Sequence, residues 1–164
     1  LESNDGPWYY EMHELGYNYR ITDFQCALGS SQLKKLDYFV QKRRQFAKRY
    51  DELLIGIDNL TIPESQMNVE HSYHLYPLQI DFEKLSLTKV QFFEKMKKAD
   101  INLQVHYIPI HLQPYYIKNF GFQRGNYPIA ESFYNRGVSL PIYPDLPDND
   151  ASSVSNKILE KIKL

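Results

Sequence analysis

The sequence predicts an α+β protein: a long linking helix followed by a small domain in which helices cover a short, mostly antiparallel sheet. Three observations carry this expectation. A helical apolar spacing runs from Asp23 to Leu54; short aromatic and β-branched runs mark strands after residue 57; and helical patterns fall between them in a β-α-β-(loop)-α-β-α succession. Three regions follow: residues 1–22 as an irregular arm and turn, 23–56 as the linking helix, and 57–164 as the small domain.

Residues 1–16 read as irregular, with a turn at Asp5-Gly6-Pro7 ahead of Trp8-Tyr9-Tyr10. A polar, aromatic turn, Gly16-Tyr17-Asn18-Tyr19-Arg20, leads into the helix. Thr22 and Gln25 form a capping-box pattern, in which hydroxyl and amide each satisfy an orphan backbone donor. Leu28, Leu33, Leu36, Val40, Ala47, Tyr50 and Leu54 keep near-helical spacing, with Phe39 and Phe46 widening the stripe. A continuous helix over 23–54 would be about 48 Å long, enough to join two regions.

Further along, 59–64 holds a short strand ended by Pro63, and 71–82 a strand in which Pro77 favours an edge or bulge. Thr88 caps a helix through Ala99, with Val90, Phe93, Met96 and Lys97 at helical steps. Residues 102–108 read as a strand and the proline- and aromatic-rich 109–116 as a loop. A helix over 127–136 starts on Pro128. A strand over 138–142 follows, and a closing helix opens at Asp148 or Asp150 with Val154, Ile158 and Ile162 on its apolar side.

Composition narrows the function. With 164 residues the chain buries about 70% of its unfolded surface. A net charge of −1 gives no global field for nucleic acid or an anionic membrane. The single cysteine, Cys26, excludes an internal disulfide and suits a reducing, cytoplasmic setting; its expected role is that of a small buried hydrophobe. No apolar run reaches the roughly 20 residues of a membrane span. The chain opens on Leu1 rather than Met, which leads us to expect a piece of a longer protein. Fourteen tyrosines and nine phenylalanines supply flat apolar area, useful in binding surfaces as in cores.

Most candidate chemistry has a bland reading that prevails. His71 and His74 face opposite sides of a strand, and His106 and His111 lack an acidic or thiol partner at ligand spacing, so no metal site is expected. Lys42-Arg43-Arg44 with Lys48-Arg49 reads as a solvated helix face rather than a nucleic-acid patch. Gly29, mid-helix, suggests close packing against another element.

Two clusters remain. Asn18, Tyr19 and Arg20 place an amide, a phenol and a guanidinium ahead of a helix N-terminus. They suit a phosphate or carboxylate; alternatively Asn18 shapes the turn and Arg20 pairs with an acid. His106-Tyr107, with His111, Gln113, Tyr115 and Tyr116, makes a loop able to stack on a base or sugar, or else one packed on itself.

With these residues the chain resembles a known family. WYYEMHELGYNYRITDFQCALGSSQLKKLD, HSYHLYPLQIDF, VHYIPIHLQPYY and SLPIYPDL are similar, in order, to the C-terminal part of the DegT/StrS sugar aminotransferases. The resemblance implies a fold-type I enzyme dependent on pyridoxal phosphate (PLP). Such an enzyme transfers an amino group, usually from glutamate, to a keto nucleotide sugar, and works as a homodimer with shared active sites. It implies that Asn18 reaches the PLP phosphate of the neighbouring subunit. Arg20, His106, Tyr107 and His111 then line the nucleotide-sugar pocket. Nothing in the sequence resembles the family's PLP lysine segment, so no catalytic residue is assigned and the piece alone is expected to be inactive. The competing expectation is a non-catalytic module that binds a nucleotide sugar or mediates assembly.

Overall fold

The computed structural model describes residues 7–162, so the first part of the turn expected at Asp5-Gly6-Pro7 lies outside the described residues. Among the described residues six α-helices and three strands form, and the chain divides into two units, Leu1–Lys35 and Leu36–Leu164. Each is described by itself.

The first unit contains an irregular stretch and α1 (Asp23–Leu33). The expected capping box is present: the Gln25 N–H donates to Thr22 Oγ1 at 3.4 Å, and the Thr22 N–H donates to Gln25 Oε1 at 2.9 Å. No side chain of α1 is buried. Cys26 is exposed, and a Cβ on Gly29 would meet nothing within 4 Å, so neither expectation of burial or close packing holds within this chain.

The continuous helix expected over 23–54 is interrupted. At Lys35 the N–H turns to the Gln32 carbonyl at 2.9 Å, an i→i−3 bond, and α2 (Leu36–Leu54) begins afresh. Long helices rely on a packed stripe along their whole length. Here the stripe is buried only from Phe46 onward, through Ala47, Tyr50 and Leu54, whereas Leu28, Leu33 and Leu36 stay exposed. Nothing in these residues supports the ladder through the Lys34-Lys35 junction.

In the second unit β1 (Leu60–Thr61), β2 (Tyr76–Ile80) and β3 (Gly137–Leu140) form one antiparallel sheet with β2 in the centre. Tyr76, Leu78 and Ile80 point into the core, where they meet α2, α3 (Lys89–Lys98) and α6 (Asp150–Ile162) through Tyr50, Phe92, Met96, Val154 and Ile158. Each such fully buried large apolar side chain contributes about 1.5–3 kcal/mol. Thr88 and Gln91 make the second capping box. The buried face of α3 is Phe92 and Met96; Val90, placed on it by spacing, is exposed.

Pro77 lies in the central strand rather than in an edge strand. The reason is that the neighbouring strand is too short to need its missing N–H. Asp81 donates to the Asn59 carbonyl at 2.9 Å, and alternation along the strand aims position 77 to the same side. The β1–β2 register, Leu60 with Ile80 and Thr61 with Gln79, sets Pro77 opposite Pro63, past the end of β1. Two prolines end the ladder together.

Three further differences concern the far side of the sheet. The strand expected over 102–108 is reduced to a single bridge, Gln104 with Ser139. The loop expected over 109–116 instead makes a 3₁₀ turn, Ile110–Leu112, and then α4 (Pro114–Phe120), with Pro114 at N1 and Gly121 capping at φ +68°. Finally, α5 (Pro128–Arg136) passes directly into β3. A Cβ on Gly137 would stand 2.7 Å from the Phe133 carbonyl oxygen, so only glycine allows that turn.

Among the basic residues of α2 only Lys48 and Arg49 keep to the expected solvated face; Lys42, Arg43 and Arg44 are partly buried. Arg43 donates to the carbonyls of Tyr73, His74 and Ile142 at 3.3, 3.2 and 2.8 Å. Arg44 donates to the His71 carbonyl and to Glu70, Lys42 pairs with Asp148, and Arg49 reaches Ser152. Arg43 and Arg44 thus tie α2 to loop carbonyls that have no strand partner, while Lys42 and Arg49 reach side chains. Residues 71–75 are irregular, so His71 and His74 do not sit on a strand as expected. His71 instead accepts the Tyr73 N–H through Nδ1, holding a left-handed Tyr73 (φ 48°).

Candidate functional site

The two clusters singled out by sequence fall in different units. In the first, Asn18 Oδ1 accepts the Arg20 N–H at 3.1 Å, so Asn18 does shape the turn. This uses the amide oxygen, and among the described residues no hydrogen bond engages its Nδ2. Among the described residues the Arg20 guanidinium makes no ion pair, and Tyr19 is exposed against Tyr17. The expected free backbone donors are fewer than the spacing suggests, because the capping box takes the Thr22 and Gln25 N–H groups. What remains is a donor-only set, an amide and an unpaired guanidinium, which fits a phosphate.

In the second unit His106, Tyr107 and His111 do not act alike. His106 Nδ1 lies 2.8 Å from the Ser139 hydroxyl, which is buried on β3, and its ring meets Tyr107 edge-on at 4.7 Å. The sheet thus anchors His106, and the ring beside it is presented outward: Tyr107 is 73% exposed. Tyr107 lines an open groove of about 610 Å³ with Pro109, Asn126, Tyr127, Pro128, Ile129, Ala130 and Phe133. The walls are mostly apolar and aromatic, suited to a flat ring with polar groups at the rim.

His111 is only 7% exposed. Its Nε2 lies 2.9 Å from Glu131 Oε1, and its ring packs on Tyr127 at 4.8 Å. The hydrogen bond from His111, with the N–H groups of Gly125 and Tyr127, holds the Glu131 carboxyl below the usual carboxylate range. Glu131 is a residue the sequence reading missed; one acid in the first turn of a short helix carries no signal until the chain folds. Tyr115 and Tyr116 join Phe120, Phe122 and Tyr127 in an aromatic chain along α4 and the loop after it.

The sequence also gave no sign of Lys89. It is half-buried, its Nζ donates to the Tyr134 carbonyl and lies 4.9 Å over the Tyr134 ring, and burial pushes its ammonium down to about 8. Among the described residues no group of His, Cys, Asp or Glu is arranged to hold a metal, and no helix is long and apolar enough to cross a membrane.

Residues 2–159 match the DegT/DnrJ/EryC1/StrS aminotransferase family, and the chain belongs to that family. It is 42% identical over 156 residues to the uncharacterised protein MJ1066 of Methanocaldococcus jannaschii, covering 95% of this chain and 40% of that one. The spore coat polysaccharide biosynthesis protein SpsC of Bacillus subtilis is 37% identical over 162 residues, 98% of this chain and 42% of SpsC. UDP-4-amino-4,6-dideoxy-N-acetyl-β-L-altrosamine transaminase of Campylobacter jejuni is 36% identical over 160 residues, again 95% and 42%.

Among solved structures, Helicobacter pylori PseC, an aminotransferase of pseudaminic acid biosynthesis, superposes with a TM-score of 0.85 at 29% identity over 97% of this chain and 42% of PseC. The PLP form of Spr1654, a sugar aminotransferase of Streptococcus pneumoniae, gives 0.82 at 27%, covering 96% of this chain and 40% of that one. The chain thus spans about 40% of the length of the relatives it matches, and corresponds to their C-terminal part.

Proposed function

We propose that this chain is the C-terminal part of a cytoplasmic, homodimeric, PLP-dependent transaminase that moves an amino group from glutamate to a 4-keto nucleotide sugar. The product would serve bacterial surface-glycan or flagellin-sugar synthesis, as in the pseudaminic acid route of its relatives. The family match over residues 2–159 supports the class of enzyme. The geometric observation that carries the substrate reading is Tyr107, held outward over an aromatic groove by the His106–Ser139 contact.

In this reading the chain's own residues bind and orient. Asn18 Nδ2 and the Arg20 guanidinium hold the phosphate of PLP or of the substrate, Asn18 reaching the cofactor of the neighbouring subunit. Tyr107 stacks on the flat ring of a uridine nucleotide, and His106 fixes the angle of that ring. Bound PLP supplies the electron sink for amino transfer, while the protein supplies position and charge. The lysine that carries PLP lies outside these residues. Lys89 is the one described amine with a depressed pKa, but its Nζ is spent on the Tyr134 carbonyl. The piece alone is therefore inactive.

The test uses the full-length protein with PLP, glutamate and UDP-linked 4-keto sugars. Mass spectrometry is expected to show an amino sugar formed one-to-one with 2-oxoglutarate. Full occupancy by PLP with no amination of any keto sugar would overturn the assignment.

A further inference from the structure

One carboxylate gathers the loops around the groove. Glu131, in the first turn of α5, has a side chain only 12% exposed. Its Oε1 accepts His111 Nε2 at 2.9 Å, the Gly125 N–H at 2.8 Å and the Tyr127 N–H at 3.4 Å. These three donors come from the 3₁₀ turn 110–112, from the middle of the loop 121–127, and from the residue just ahead of α5. Tyr127, itself a groove wall, is clamped from two sides, by its backbone on Glu131 and by its ring on His111.

The side chains that give the groove its shape carry little packing of their own. Tyr107, Tyr127, Ile129 and Phe133 are all exposed, at 73, 48, 87 and 38%. Within the loop 121–127 the Gln123 N–H donates to Asn126, the Asn126 N–H donates to the Gln123 carbonyl, and the Phe122 ring meets that of Tyr127. Apart from Glu131 and His111, the loop is joined to its surroundings at its start, by the Gly121 N–H on the Ile117 carbonyl and by the Phe122 ring on Phe120 of α4. His111 has its Nε2 committed and its ring covered, which leaves it poorly placed to meet a ligand. It is well placed to hand the position of the 110–112 turn to the loop.

We propose that Glu131 is a positioning residue for the nucleotide groove, and that His111 serves the groove through Glu131 rather than by touching substrate. This rests on the nucleotide-sugar reading above. A wall displaced by about 1 Å loses stacking and rim contacts, and such misplacements weaken function by factors of ten or more.

The experiment uses full-length protein loaded with PLP and takes UDP as the probe, measured by calorimetry beside tryptic cleavage after Arg124 and steady-state kinetics. Glu131→Ala should weaken UDP and raise KM for the keto sugar about tenfold, with kcat and PLP content within about threefold of wild type, and should speed cleavage at Arg124. Glu131→Gln, whose amide oxygen still accepts all three donors, should restore affinity to within about threefold. His111→Phe keeps the ring on Tyr127 but removes Nε2, and should match Glu131→Ala; the double variant should lose no more than either single change.

Unchanged UDP affinity in Glu131→Ala overturns the proposal, and additive losses in the double variant overturn the claim that His111 acts through Glu131. If Glu131→Ala has no melting transition, His111→Phe carries the same tenfold expectation, and wild-type affinity there overturns it. Tyr107→Ala separates the two readings. Its failure to weaken UDP sinks the groove itself, whereas weakening there with Glu131→Ala unchanged sinks only the brace.

Discussion

The Tyr76 hydroxyl donates to Asp51 Oδ1 at 2.6 Å, joining the central strand to α2 through a side chain with no exposed surface. Beside it, the Tyr50 ring lies 4.9 Å from that of Tyr76, and its hydroxyl donates to the Pro141 carbonyl at 2.8 Å. Burial, with the Asp51 carboxylate next to Tyr76, pushes both phenols well above their ordinary range. The folded state therefore keeps protons that the unfolded chain releases near pH 10. The stability this provides is complete below pH about 10 and is lost as pH rises further. Melting temperature followed from pH 8 to 11 should fall steeply above 10, and Tyr76→Phe should flatten that fall. A flat profile in the wild type would contradict the pairing.

Arg43 should matter more than any other cation of α2. Arg43→Ala leaves three carbonyls without their donor and should cost about 2 kcal/mol in denaturant unfolding. Lys48→Ala, on an exposed site, should change stability by less than about 0.5 kcal/mol. Equal effects would show that Arg43 is only a surface charge.

Thr88→Ala removes the cap of α3 and should cost about 1 kcal/mol. Thr88→Asp should retain most of the stability, since its carboxylate accepts the same Gln91 N–H. Chemical denaturation of both variants checks this.

Lys89 should titrate early. Its ammonium is pushed down to about 8, so the folded state sheds a proton that the unfolded chain keeps to about 10.5, and stability should rise with pH across that window. Competitive labelling with acetic anhydride at graded pH, read by peptide mass spectrometry, should place its midpoint near 8. A midpoint shared with the exposed Lys48 would remove the burial argument.

Residues 7–35 contain no fully buried side chain, while Trp8, Tyr10, Met12, Leu15, Phe24 and Leu28 are largely exposed. Apolar surface of this kind calls for a covering partner. Sedimentation of the 164-residue chain should show self-association; a stable monomer at all concentrations would contradict that.

Both capping boxes and the proline-led start of α5 were legible because each is a local device written within four residues, and the closing helix because its apolar residues repeat at helical spacing. The antiparallel sheet was legible as a class, but not its strand lengths. Residues 102–108 alternate as a strand does, yet only Gln104 finds Ser139, because pairing is decided by a partner distant in sequence. The helix broke at Lys35 because spacing states which side chains could be buried, not whether anything covers them. Likewise Arg43 looked like surface charge until distant carbonyls were folded against it. Of the site, Tyr107 and the Asn18 turn were visible as types in a pattern. Glu131 was not, since its three donors converge only in space.

The central claim is that these residues supply binding surfaces while the reactive amine lies elsewhere. It is tested most directly by incubating this polypeptide with PLP, reducing with borohydride and weighing the intact protein. Only scattered, substoichiometric pyridoxyl adducts are expected here, against one specific adduct in the full-length enzyme. A one-to-one adduct on a single lysine of this chain, Lys89 included, would contradict the account.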